Sequence, residues 1–213
     1  MDSQQQSLAD IQDIKRIMER SSRFISLSGL SGIAAGCLGL GASAIAHGWI
    51  YSYYTQYNGR GRWVVTDFVQ LEWKLFFLAI ATLVLALLSG FYFTWKKAQK
   101  TKMLVWNSSS KRLLINLCIP LLTGGVFVFA MLLHDEWRFA GPACLLFYGL
   151  ALINGSKYTL DEIRYLGFCE IILGCFNLFL PGYGLYFWAA GFGILHIIYG
   201  ILMWNKYERA ETA

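Results

Sequence analysis

The chain has 213 residues, 56% of them hydrophobic and 15% charged, against about a quarter charged in an ordinary soluble domain. A net charge of +5 would suggest nucleic acid in a soluble protein. Here the apolar residues fall into long runs and the charges are sorted between the joints, so a lipid bilayer is the expected partner and nucleic acid is not.

Residues 1–23 form a polar arm. Leu8, Ile11, Ile14, Ile17 and Met18 share one helical face, with Asp10, Asp13, Lys15, Arg16 and Glu19 around the rest. That pattern predicts an amphipathic helix lying in the inner interface; docking of a soluble partner is the sharper alternative. Six apolar stretches follow: Phe24–Trp49, Trp73–Trp95, Leu113–Leu133, Phe139–Ile153, Ile163–Leu180 and Tyr183–Trp204. A helix needs about 20 apolar residues to cross hydrocarbon, and a helix satisfies all of its own backbone hydrogen bonds there. The fold expected is all-α, an integral membrane bundle of six transmembrane helices over residues 24–204, with a tail at 205–213. The fourth stretch is short and opens on Gly141-Pro142; it gains length from Trp137 or by running on to Tyr158. Ala42-Ser43-Ala44 looks like a signal-peptide cleavage site, but the polar arm is too long and the stretch exceeds an ordinary signal core.

The joints set the orientation. Lys15, Arg16, Arg20, Arg23, Lys96, Lys97, Lys100, Lys102, Lys111, Arg112, Lys157, Arg164, Lys206 and Arg209 fall on one side of an alternating six-span chain. Arg60, Arg62, Lys74 and Arg138 fall on the other. The positive-inside rule then places both termini in the cytoplasm, in a multi-pass protein of the cell inner (plasma) membrane. The basic joint Lys96–Arg112 carries no acid and is also suited to anionic lipid. Trp49, Tyr51, Tyr53, Tyr54, Trp63, Trp73 and Trp137 would form an outer aromatic belt, and Trp95, Trp106, Trp204 and Tyr207 an inner one. The Tyr51–Tyr57 run admits a second reading as a stacking platform for a sugar or base.

The five cysteines all lie in apolar stretches without a CxxC pair, which suits packing and neither disulfides nor a metal. No metal site or cofactor is expected. Glycines carry more. The first stretch holds Gly29, Gly32 and Gly36, and Gly32-xxx-Gly36 has the small-xxx-small spacing that lets helix backbones approach closely. Gly167 and Gly174 in the fifth, and Gly193 and Gly200 in the sixth, repeat at seven residues. Those seams predict that the last two helices pack on each other as a hairpin around Pro181-Gly182-Tyr183-Gly184. The stretch IRYLGFCEIILGCFNLFLPGYGLYFWAAGFGILHIIYGILM from Ile163 resembles the C-terminal hairpin of uncharacterised six-helix bacterial membrane proteins. Its Gly-rich rhythm and Pro are also similar to the HdeD-like acid-resistance membrane proteins. The second resemblance implies a non-enzymatic, stress-related membrane protein.

Glu170 is the one carboxylate well inside an apolar stretch, and such residues usually face a partner or a cavity. Folding the hairpin at Gly182 brings His196 to a similar depth. The pair reads as a polar clasp between helices or as a ligand or proton site, which Arg164, Tyr165, Asn177 and Tyr199 could extend. Two enzyme-like patterns are weaker. Gly29-Leu30-Ser31-Gly32 with His196-Ile197-Ile198-Tyr199-Gly200 resembles the Ser–His dyad of rhomboid proteases, but the serine is on the first helix. His47 and His134 would suit a bis-histidine haem only if they faced a shared cavity. The functional expectation is a non-enzymatic inner-membrane protein acting by helix packing and contact with a protein partner or a second copy, in envelope stress or sensing. The alternative is a small-molecule binding or transport module with its site at Glu170 and His196.

Overall fold

The structure, a computed structural model, describes residues 27–60, 65–101 and 106–209, and their regular elements are all helical. The expected amphipathic helix at 1–23 lies outside the described residues. In chain order come α1 (Gly29–Arg60), α2 (Val65–Lys100), α3 (Ser108–Leu133), α4 (Ala140–Gly155) and α5 (Glu162–Phe179). A short α6 (Gly184–Trp188), a π-helical turn (Ala189–Leu195) and α7 (His196–Tyr207) complete it. These last three run on as one segment, Pro181–Tyr207.

Five segments are long and apolar enough to cross a membrane: Gly29–Gln56, Thr66–Lys100, Ser108–Leu133, Trp137–Tyr158 and Pro181–Tyr207. The fourth reaches 22 residues because single 3-10 turns, Trp137–Phe139 and Ser156–Tyr158, extend α4 at both ends. Pro142 sits in its first turn, where the missing N–H breaks no helical bond. α5 lies outside these five, and composition sets it apart: its 18 residues include Glu162, Arg164 and Glu170. α1 and α2 outrun the apolar stretches Phe24–Trp49 and Trp73–Trp95. The Tyr53 and Phe68 rings, 5.9 Å apart, tie the two extensions together.

α1 packs on α2 along one side and on the last segment along the other. α4 packs on both α5 and α3. α2 and α3 are therefore the flanks, and Phe77, Leu87 and Phe91 on α2 stand exposed, like Leu122 and Val126 on α3. So much outward hydrocarbon marks a surface for a membrane or for another protein. Cys37 and Cys175 also point outward, which corrects their reading as packing residues; the other three cysteines are half-buried and all five are free thiols.

Glycine decides how close the helices come. A Cβ on Gly200 would fall 2.5 Å from the Ile33 amide nitrogen and 2.7 Å from the Gly29 carbonyl oxygen. One on Gly36 would fall 2.7 Å from the Gly193 carbonyl oxygen, and one on Gly32 3.1 Å from the Gly200 Cα. Gly149 and Gly167 meet reciprocally between α4 and α5, each hypothetical Cβ lying 2.7 or 2.8 Å from the other's carbonyl oxygen. Gly174 takes Leu146 of α4. This corrects the expectation for the glycine seams, although α5 and the last segment still touch. The seam of α5 faces α4 and the seam of the last segment faces α1, because each glycine stripe finds another backbone with its own small residues.

One end of the bundle is tied by ion pairs. Beyond α7, Glu208 accepts from the Gly29 N–H at 2.6 Å and the Ser28 hydroxyl at 3.3 Å. Lys97 Nζ lies 3.4 Å from the same carboxylate and donates to the Leu27 carbonyl at 2.8 Å. Lys206 and Tyr207 both bind Glu162, the tyrosine at 2.8 Å. The start of α1, the end of α2, the start of α5 and the end of α7 thus share one face, as an alternating chain requires. Lys97 is turned into this clasp, which removes it from the basic joint that would meet lipid.

Candidate functional site

The inward stripe of α5 is Ile163, Leu166, Gly167, Glu170, Gly174 and Asn177, spaced as one face of a helix. Glu170 and Asn177 are 0% exposed. Across from Glu170 the last segment departs from α-helical geometry at Ala189–Leu195, a π turn in which the hydrogen-bond ladder opens by one residue.

His196 closes that turn twice. Its backbone N–H donates to the Gly193 carbonyl, and its ring Nδ1 lies 2.9 Å from the Gly191 carbonyl oxygen. A carbonyl only accepts, so Nδ1 carries a hydrogen. Nε2 lies 2.7 Å from the Tyr148 hydroxyl of α4, which donates to it when the imidazole is neutral. The ring is further held by stacking, 5.4 Å from the Tyr148 ring and 6.0 Å from that of Phe192.

Glu170 is left over. Its Oε1 lies 3.5 Å from His196 Nδ1, beyond an ordinary N–H···O bond, and that hydrogen is already directed at Gly191. Neither carboxyl oxygen has a hydrogen-bond partner among the described residues. The absence of a side chain at Gly191 makes room for the group: a Cβ there would fall 2.5 Å from Oε2 and 2.6 Å from Leu145 Cδ2. Two turns away, Asn177 donates through Nδ2 to the Leu180 carbonyl at 3.0 Å. Its Oδ1 has no partner and lies beside Gly141 and Gly184.

The expected site residues therefore divide. Glu170 and His196 come together. Asn177 shares their helix face but sits about 10 Å further along the axis. Arg164 is exposed, its guanidinium 5.6 Å from the Phe168 ring on its own helix. Tyr165 is 62% exposed, and Tyr199 packs against the cluster of Leu152, Leu160, Ile163, Leu166 and Met203. These three do not extend the site. Tyr148, Gly191 and Leu145 do, and the sequence reading missed them. Tyr148 was legible as a hydroxyl inside an apolar stretch, but spacing alone does not say which helices face each other.

The enzyme-like patterns dissolve. The Ser31 hydroxyl donates to the Ser28 carbonyl at 2.5 Å, while both ring nitrogens of His196 are engaged elsewhere, so no Ser–His dyad forms. His47 lies on α1 against Tyr51 and Tyr186, and His134 caps α3; α1 packs with α2 and the last segment, α3 with α4. Among the described residues no group of three or more His, Cys, Asp or Glu is placed to hold a metal. No family model, curated protein or solved structure matches the chain.

Proposed function

We propose that this is a non-enzymatic, multi-pass protein of the inner membrane, with six spans and both described ends on the cytoplasmic side. In this reading the Glu170–His196 pair is a small intramembrane binding site, serving sensing or transport, and not a clasp between helices. One observation carries it: Glu170 is wholly buried and neither of its oxygens is hydrogen-bonded among the described residues. A clasp stabilises through the bond it makes, and among the described residues the carboxyl makes no hydrogen bond. A buried polar group without a partner is costly, and ionisable groups at such depth commonly serve binding or proton movement. The exposed apolar flanks of α2 and α3 support a second role, contact with lipid and with a protein partner or second copy.

Thermal unfolding in mild detergent tests the site. Wild type and Glu170→Gln are compared over a pH series and against a panel of small molecules. The site reading expects a response, to a ligand or to pH, that the variant loses. The same responses in both proteins would sink it.

A further inference from the structure

Resting on the reading of Glu170 and His196 as a working site, we propose that its ligand is a single proton held by Glu170. His196 then latches the π turn according to whether that proton is present.

The first support is size. Oε2 faces Gly191 and Leu145 so closely that a methyl at Gly191 would lie 2.5 Å from the oxygen. Oε1 faces His196 Nδ1 across 3.5 Å. Glu170 and Leu145 are both 0% exposed. A ligand of more than one heavy atom has no place against either oxygen, whereas a proton adds no volume.

The second support is the distribution of hydrogen-bond donors. The ionisable groups facing Glu170 are His196 from the last segment and Tyr148 from α4. The thiol of Cys144 lies one turn from Tyr148, and that of Cys169 is the neighbour of Glu170 on α5. Among the described residues the ion-pair partner of the carboxyl is His196 alone. Yet the imidazole directs Nδ1–H to the Gly191 carbonyl and takes the Tyr148 hydroxyl on Nε2. This arrangement costs an uncharged carboxyl far less than an anion, although its O–H finds no acceptor among the described residues. It does not suit a carboxylate, which would be a buried anion without a single hydrogen bond.

When Glu170 releases its proton to bulk water, no other covalent bond changes and the histidine hydrogen stays on Nδ1. The nearest donor to the new anion is that same Nδ1–H. A small rotation of the ring moves its hydrogen bond from the Gly191 carbonyl to Oε1. Gly191 then loses the side-chain partner that caps the π turn. A π turn is a rare local irregularity found mostly at functional sites, and Ala189–Leu195 is the element that responds.

Infrared spectroscopy on the full chain in lipid nanodiscs, titrated in H2O and in D2O, tests this, with amide hydrogen exchange followed in parallel. The expected result is a protonated-carboxyl C=O band that shifts down in D2O and disappears as pH rises. It should be absent from Glu170→Gln and displaced in Glu170→Asp, the variant to use if the amide fails to fold. Exchange of the amides at 191–197 should become several-fold faster as the band disappears. A folded protein with no Glu170-dependent band at any pH would overturn the proton. A band that titrates while exchange at 191–197 stays constant would overturn the latch. A Glu170-dependent response to a small molecule without the band would keep the site and discard the proton; absence of both would discard both.

Discussion

Gly200→Val is expected to detach α1 from the last segment. The hydrogen atom of Gly200 already fills the gap between two backbones, since a Cβ there would lie 2.5 Å from the Ile33 amide nitrogen and 2.7 Å from the Gly29 carbonyl oxygen. Backbone atoms of a helix cannot step aside as the tip of a long side chain can. The two helices must separate, and the neighbouring contacts at Gly29, Gly32 and Gly36 loosen with them. Overpacking a tight contact costs about 1–3 kcal/mol and occasionally more; a branched side chain against backbone belongs at the upper end. Thermal unfolding in detergent should show a large fall in Tm. Gly125→Ala is the matched control, because a Cβ there meets nothing within 4 Å and a helical Gly→Ala change is mildly favourable, by about 0.5–1 kcal/mol. Equal behaviour of the two variants would mean that α1 and the last segment do not meet at this seam.

Glu170→Met should move stability the other way. Methionine is close to glutamate in size and flexible enough to fit against Leu145 and Gly191. The substitution removes two oxygens that are buried without hydrogen bonds, a condition that costs about 1–3 kcal/mol. His196 keeps both of its bonds, to Gly191 and Tyr148, and so is not orphaned by the change. The expected result is a more stable protein that has lost whatever response Glu170 confers. If Glu170 were a clasp, its removal would cost on the order of 0.6 kcal/mol, the average for interhelical polar contacts in membrane proteins. A clear loss of stability would therefore identify it as helix glue.

Apolar run length foretold the helices themselves, because hydrocarbon leaves the backbone few choices. Alternation of the basic joints agrees with the clustering of Lys97, Glu162, Lys206 and Glu208 at one end. Helix neighbours were not legible. The seven-residue glycine spacings announce a close approach but not its partner. Gly167 in fact meets Gly149, and Gly200 meets Gly29 and Ile33. The depth match of Glu170 and His196 followed from counting residues either side of Gly182. It says nothing of rotation about the helix axis, so it does not tell whether Tyr165 or Tyr199 faces the pair. The π turn was hidden for another reason: nothing in the run Ala189–Leu195 marks an extra residue in the ladder, and its Gly191 and Gly193 do no more than leave room for Glu170 and Leu40.

A site at Glu170 requires α5 to cross the membrane, and α5 is the helix whose composition argues least for it. Lys157, just before α5, and Gly182, just after it, are both exposed. Single cysteines placed at these two positions, in a chain whose five native cysteines are replaced, can be labelled in intact cells with a membrane-impermeant thiol reagent. Labelling of the Gly182→Cys protein from outside, with Lys157→Cys protected until the membrane is opened, is the predicted result. Labelling of both from the same side would contradict it, and would remove Glu170 from the membrane interior.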